Sequence, residues 1–191
     1  MKLSFSMASI NEAPDIVKLV NSAYRGEPSK TGWTTEADLL DGQRTDYDQI
    51  IHAIEEPFSS IVVAKNVHNQ IVACCEIKII PQDYFFSKHT QLTIGNRNLY
   101  FGMFTVTPDL QNSGLGKQVL THIEGLATKW GLDKIQMSVI TQRKELIDFY
   151  LRRGFSLLPH LIDFPSDPKF GVPKVENLKM IILEKKIKTT L

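Results

Sequence analysis

An α+β (mixed α/β) architecture is expected of this chain, and three observations carry the expectation. Strand-like and helix-periodic segments interleave in the order βααβββ-αβαββ. Two apolar segments, residues 60–65 and 70–80, flank His68-Asn69, which reads as a hairpin turn. Residues 99–106 form an aromatic and β-branched run that Pro108 closes, and a helical period opens at Leu115. At 191 residues the chain fits one domain over residues 1–191, given ~100–200 residues per typical domain.

The elements follow in order. A short strand covers residues 3–7. Asn11, a candidate N-cap, precedes Pro14 and the periodic Ile16, Val17, Leu19, Val20 and Tyr24, a first helix that ends near Arg25-Gly26. Residues 27–48 hold Trp33 beside Gly32, a short helical piece and the run Asp41-Gly42-Gln43-Arg44-Thr45-Asp46. Ile50, Ile51 and Ile54 mark a second helix that stops at Pro57. After the hairpin, a polar loop over 81–96 leads to the long strand 99–106. Leu115, Val119, Leu120, Ile123, Ala127 and Trp130 then recur at helical spacing until Gly131. A strand over 134–140, a helix carrying Tyr150 with Gly154 as its cap, a strand over 155–158, a loop over 160–173 and a last strand over 178–186 complete the chain.

Bulk properties narrow the class. The formal net charge of +1 gives no reason to expect nucleic acid or an anionic membrane as partner. No apolar run approaches the ~18–20 residues of a membrane span, and the start lacks the apolar core of a signal peptide. A cytoplasmic location is therefore expected. Cys74 and Cys75 are adjacent in a strand, where neighbours face opposite ways, and read as small buried residues rather than as a disulfide or metal pair. No metal site is expected.

The stretch Gln111-Asn112-Ser113-Gly114-Leu115-Gly116 lies between a strand and a helix N-terminus. The first turn of a helix presents unpaired N–H groups and the positive end of the macrodipole. Glycines allow the backbone to approach phosphate oxygens closely. Two familiar phosphate loops fail on spacing. A P-loop needs glycine where Gln111 stands and Ser or Thr where Gln118 stands. The dinucleotide fingerprint needs a small third residue where this chain has Val119. A glycine turn that merely caps the helix is the alternative.

The spacing Gln-x-x-Gly-x-Gly after a strand ending in Val-x-Pro resembles the acetyl-CoA-binding motif of the GNAT N-acetyltransferase superfamily. A second segment, residues 139–155, resembles that superfamily's other signature through Phe149-Tyr150-Leu-Arg-Arg-Gly154-Phe155. The resemblance implies a central, mostly antiparallel sheet of about seven strands flanked by about four helices. It implies acetyl-CoA as co-substrate, held without metal by the peptide N–H groups of Asn112, Ser113, Gly114, Leu115 and Gly116, with Gln111 and Lys117 beside them. Phe104, Thr105 and Val106 would pair with the pantetheine arm, and a backbone N–H of that strand would serve the oxyanion. Tyr150 would donate to the CoA sulfur. Arg143 is placed at the cofactor, where many members carry Asn.

The resemblance leaves the base open. Many members place Glu on the central strand where this chain has Tyr100. Glu76 is the best carboxylate, although an ion pair with Lys78 on the same face explains it equally, and a water chain would also serve. His89 and His160 read as surface histidines. The acceptor site is expected from residues 24–48 and 160–173, with Trp33, Glu36, Arg44 and Tyr100 as candidate contacts. Acids outnumber bases between Arg25 and Asp48, which suits a cationic amine, though Thr35-Glu36-Ala37-Asp38 also reads as a capping box. Trp33 is either a pocket wall or a lid over the core. The expected reaction is direct acetyl transfer to a small-molecule primary amine. A protein N-terminus or lysine as acceptor, and a non-catalytic acyl-CoA sensor, stay open. A homodimer would pair through a sheet edge near the last strand.

Overall fold

The computed structural model describes residues 1–82, 84–85 and 97–187. Seven strands form one sheet: β1 (Ser4–Met7), β3 (Ser59–Lys65), β4 (Ile71–Pro81), β5 (Arg97–Val106), β6 (Lys134–Ile140), β9 (Lys179–Lys186) and β7 (Ser156–Asp163), in that spatial order. All neighbours are antiparallel except β5 and β6. A second, two-stranded ribbon pairs β2 (Leu40–Asp41) with β8 (Val172–Pro173).

Helices cover both faces, and strand alternation divides the core accordingly. Ile16, Leu19, Val20 and Ala23 of α1 (Ala13–Tyr24) and Ile50 and Ala53 of α3 (Tyr47–Glu55) pack with Ile61, Val63 and Cys74. Val119, Leu120, Ile123 and Ala127 of α4 (Leu115–Lys129) pack with Val62, Cys75, Phe101 and Ile135. Cys74 and Cys75 thus enter different cores, as their alternation requires. Two short helices, α2 (Gly26–Ser29) and α5 (Lys144–Leu151), carry the chain past the mouth of the sheet.

Local differences from the sequence reading have identifiable causes. Ser9, not Asn11, opens the first helical segment, because the Ser9 N–H donates to Glu12 Oε2 at 2.8 Å. The hairpin turn is built by Asn66, whose Oδ1 accepts from His68 N at 2.9 Å and Gln70 N at 3.0 Å. Residues 35–38 form a turn rather than a helical start, with Thr35 Oγ1 accepting from Ala37 N at 3.2 Å. The strand expected to end at 158 runs on to Asp163. Its register on β9 slips between Leu157 and Leu161, and Pro159, which has no N–H, lies in that irregular stretch of an edge strand. The last strand β9 is interior, between β6 and β7, so the sheet edges are β1 and β7. Most of the loop 81–96, including His89, lies outside the described residues.

Candidate active site

The sheet opens where β5 and β6 part. Their pairing covers only Leu99↔Ile135 and Tyr100↔Gln136. Beyond it β5 is bulged: Cys74 pairs with Thr105 and Glu76 with Gly102, so Met103 and Phe104 have no partner in the β4 ladder. Met103 takes φ +46° there. The Tyr24 hydroxyl, at the end of α1, donates to the Phe104 carbonyl, and Thr105 Oγ1 donates to the Met103 carbonyl at 3.0 Å. Side chains therefore satisfy the carbonyls of the bulge.

Two cavities meet at this opening. They share Tyr24, Phe104, Leu146 and Tyr150 in their walls.

The first, of about 500 Å³, lies along the turn that precedes α4. Asn112 (φ +62°) and Gly114 (φ +83°) both adopt left-handed conformations in that turn. Asn tolerates this geometry and Gly adopts it without cost. Phe104, Val106, Gln111, Asn112, Gly114, Gly116 and Lys117 line the cavity. Three expected neighbours do not. Thr105 is buried on the opposite side of its strand, and Leu115 is in the core. Ser113 Oγ donates to the Leu110 carbonyl at 2.5 Å. Gln111 braces the turn: its Oε1 accepts from Trp33 N at 2.8 Å, and its Nε2 donates to Thr34 Oγ1 at 2.8 Å and to the Val106 carbonyl at 3.1 Å. A Cβ on Gly32 would lie 2.6 Å from Gln111 Oε1, so only glycine fits there. Trp33 consequently stands in the wall of this first cavity, tilted on Phe149 with ring centroids 5.5 Å apart, and does not line the second.

Arg152 and Arg153, which precede Gly154 in the second signature segment and were given no site role from the sequence, also line the first cavity. The Arg153 guanidinium lies 3.4 Å from the Phe149 ring centroid, and its buried Nε has no hydrogen-bond partner. Peptide N–H groups at the α4 N-terminus, Lys117 and two arginines around one elongated cavity fit a phosphate-bearing ligand with an extended arm. Acetyl-CoA is such a ligand.

The second cavity, of about 760 Å³, takes in Glu36, Arg44, Glu76, Tyr100 and Arg143. Arg143, expected at the cofactor, lines this second cavity and not the first. It is 3% exposed, its Nε donates to Glu145 at 2.8 Å, and its Nη1 lies 3.3 Å from Glu36. Glu36 is also bridged to Arg25 at 2.5 Å. The acidic rim is therefore largely neutralised: Glu27 pairs with Lys30 at 2.6 Å, Asp41 faces Lys174 at 3.7 Å, and Asp46 caps α3 through Gln49 N at 2.8 Å.

Lys78 pairs with Glu56 at 2.5 Å, not with Glu76. Burial raises the Glu76 carboxyl above its ordinary value, with Lys78 and Arg44 opposing the shift. Burial and the Glu76 charge push Tyr100 up to about 12. Tyr150, 3% exposed and edge-on to Phe149, Phe101 and Phe155, is raised well above the usual phenol value by the same desolvation. His160 belongs to β7. Among the described residues no group of three or more His, Cys, Asp or Glu is arranged to hold a metal ion.

Comparison with known proteins places this geometry. The acetyltransferase (GNAT) family model matches residues 17–155. Among solved structures, the smu.2055 protein of Streptococcus mutans UA159 is similar with TM-score 0.68 and 17% identity, over 98% of this chain and all of that one. Spermidine N-acetyltransferase from Vibrio cholerae, solved with CoA and spermine, has TM-score 0.68 and 12% identity over 98% and 96% of the two chains. Naa20 of Chaetomium thermophilum, solved with a bisubstrate analogue, has TM-score 0.66 and 16% identity over 97% and 87%. No curated protein matches in sequence. The family match spans most of the chain and both signature segments, and the sheet is the one those segments imply: the chain belongs to the acetyltransferase (GNAT) family and is an acyltransferase of the N-acetyltransferase type.

Proposed function

We propose that this protein acetylates the primary amine of a small molecule by direct transfer, with acetyl-CoA and the amine bound at once. The observation that carries the reading is the junction of the two cavities at Tyr24, Phe104, Leu146 and Tyr150. A cofactor-shaped cavity and an acceptor-sized one share a wall there, so no covalent enzyme intermediate is needed to connect them. The second cavity, about 760 Å³ and lined by side chains of α3, β6 and the 162–170 segment, has room for a small molecule.

When bound, acetyl-CoA supplies the acetyl thioester. The turn 111–116, Lys117, Arg152 and Arg153 hold its phosphates, and Phe104 and Val106 flank its arm. Glu76 acts as the base. An alkylammonium near pKa ~10 must lose a proton before it attacks, and a carboxylate raised by burial is a better acceptor for that proton. Tyr150 keeps its proton on Oη across the physiological range and offers it as a hydrogen bond to charge that develops at the junction. Full proton donation by so weak an acid would be strongly uphill, so the hydrogen bond is its contribution. The Phe104 N–H, on a residue outside the β4 ladder whose own carbonyl is held by Tyr24, would serve the oxyanion.

Thiol release from acetyl-CoA over a panel of amines tests the reading. Tyr150→Phe should lower kcat by about 10²-fold, the usual effect of removing one such donor, with acetyl-CoA affinity nearly unchanged. Equal turnover in variant and parent would remove Tyr150 from the mechanism. Tight acetyl-CoA binding without turnover on any amine would instead support an acyl-CoA sensor.

A further inference from the structure

Among the described residues, one cation that lines the second cavity forms no salt bridge. Arg44 follows Gly42 and Gln43 and precedes the Asp46 cap of α3. Its backbone is fixed: Asn21 Oδ1 accepts from Arg44 N at 2.6 Å and Thr45 N at 3.3 Å, and Asn21 Nδ2 donates to the Thr45 carbonyl at 2.9 Å. Its guanidinium sits 5.7 Å from the Tyr24 ring centroid and forms no salt bridge among the described residues. Every other cation lining this cavity has a partner: Lys78 has Glu56, Lys169 has Asp167 at 2.9 Å, and Arg143 has Glu36 and Glu145.

Near it lies a cluster of two arginines and two glutamates. Arg25 and Arg143, 7% and 3% exposed, share the single buried carboxylate of Glu36, while Glu145, the other counter-charge, is half exposed and screened by solvent. Arg143 Nη2, buried in the cavity wall, has no hydrogen-bond partner. Arg44 and Arg143 both line the second cavity, whose wall Tyr24 shares. On the anionic side, Asp163 is paired with Lys179, Asp48 is exposed in the first turn of α3, and Glu76 is assigned to the amine.

We infer that the acceptor amine carries a carboxylate, as an amino acid does, and that Arg44 holds this carboxylate. A guanidinium fork matches a carboxylate in two parallel hydrogen bonds, and a polyamine offers Arg44 no counter-charge. That assignment rests on the second cavity being the acceptor site.

Titration calorimetry of the CoA-loaded protein with standard α-amino acids, 4-aminobutyrate, spermidine and the carboxamides of the acids that bind tests it, alongside thiol release with acetyl-CoA. At least one acid should bind and react tenfold or more better than its own carboxamide, a preference in the range of one charged hydrogen bond. Arg44→Gln should weaken that acid about tenfold or more and bring the acid-to-amide ratio toward one, with acetyl-CoA affinity retained. Arg44→Lys, which keeps the charge but not the fork, should retain part of the preference and guards against a folding defect in the glutamine variant. Binding of no acid, equal handling of acids and carboxamides, or a preference for spermidine overturns the inference. Acid-selective binding without thiol release would leave it standing and remove the catalytic reading, whereas turnover without acid preference does the reverse.

Discussion

Glu76 sits between the buried Cys75 and Ile77 on β4, in range of Arg44 and Lys78 but bonded to neither. Because its folded pKa is raised, the native state binds the Glu76 proton more tightly than the unfolded chain does. Stability from this group is fully present below the ordinary glutamate value of ~4.3 and is lost as pH rises through the elevated folded value. Glu76→Gln should therefore melt higher than the parent at pH 7, and the difference should vanish on acidification below ~4. The same variant should lose kcat/KM and the acid limb of its pH profile. An unchanged pH–rate profile would move the base to solvent. Sequence alone left Glu76 and Lys78 as a plausible pair, because strand alternation puts them on one face. Glu56, from the end of α3, takes the lysine instead, a contact that no local pattern contains. Arg143 is a similar case. Its position in the signature segment was readable, but the direction of its side chain depends on where α1 brings Arg25 and where the following turn brings Glu36.

At the scale of elements, the turn at 111–116 was the most legible part of the chain. Its glycines, the closing proline and the helical period after it are all local, and each reports a backbone requirement. A Cβ on Gly114 would meet nothing within 4 Å, so its φ of +83° rather than crowding is what calls for glycine. Gly114→Asp and Gly114→Asn separate conformation from charge. Asn adopts the left-handed region at modest cost, so acetyl-CoA affinity should fall only slightly. Asp adds a negative charge beside the phosphates and should weaken binding about tenfold or more, by direct titration. Equal affinities would place the phosphates elsewhere. The brace formed by Gln111 was not legible, because Trp33 and Thr34 are 78 and 77 residues away in the chain. It explains why Trp33 lines the first cavity rather than the second. The extension of β7 past Pro159 was missed for a related reason: an edge strand tolerates a proline at an irregularity, and edge status is a property of the sheet.

Across the whole molecule, the separation of β5 from β6 joins two helix-covered cores at a gap that both cavities use. A ligand spanning the turn, the β5 bulge and α5 ties together elements from both signature segments and should stabilise the native state as a unit. At 100 times its dissociation constant, CoA should add about 2.7 kcal/mol, which for a chain of this size is a rise of roughly 5–10 °C in Tm. A scanning measurement with and without CoA reads it directly, and no shift would mean that the cavity does not take the cofactor. The order of elements, the two faces of each strand and the left-handed turn before α4 were already set by periodicity, proline and glycine, since these are constraints within a few residues. Which charges are paired and which cavity each side chain enters were set by packing α1, α3 and α5 around the parted strands, because charge pairing and burial are sums over neighbours that the chain order does not bring together.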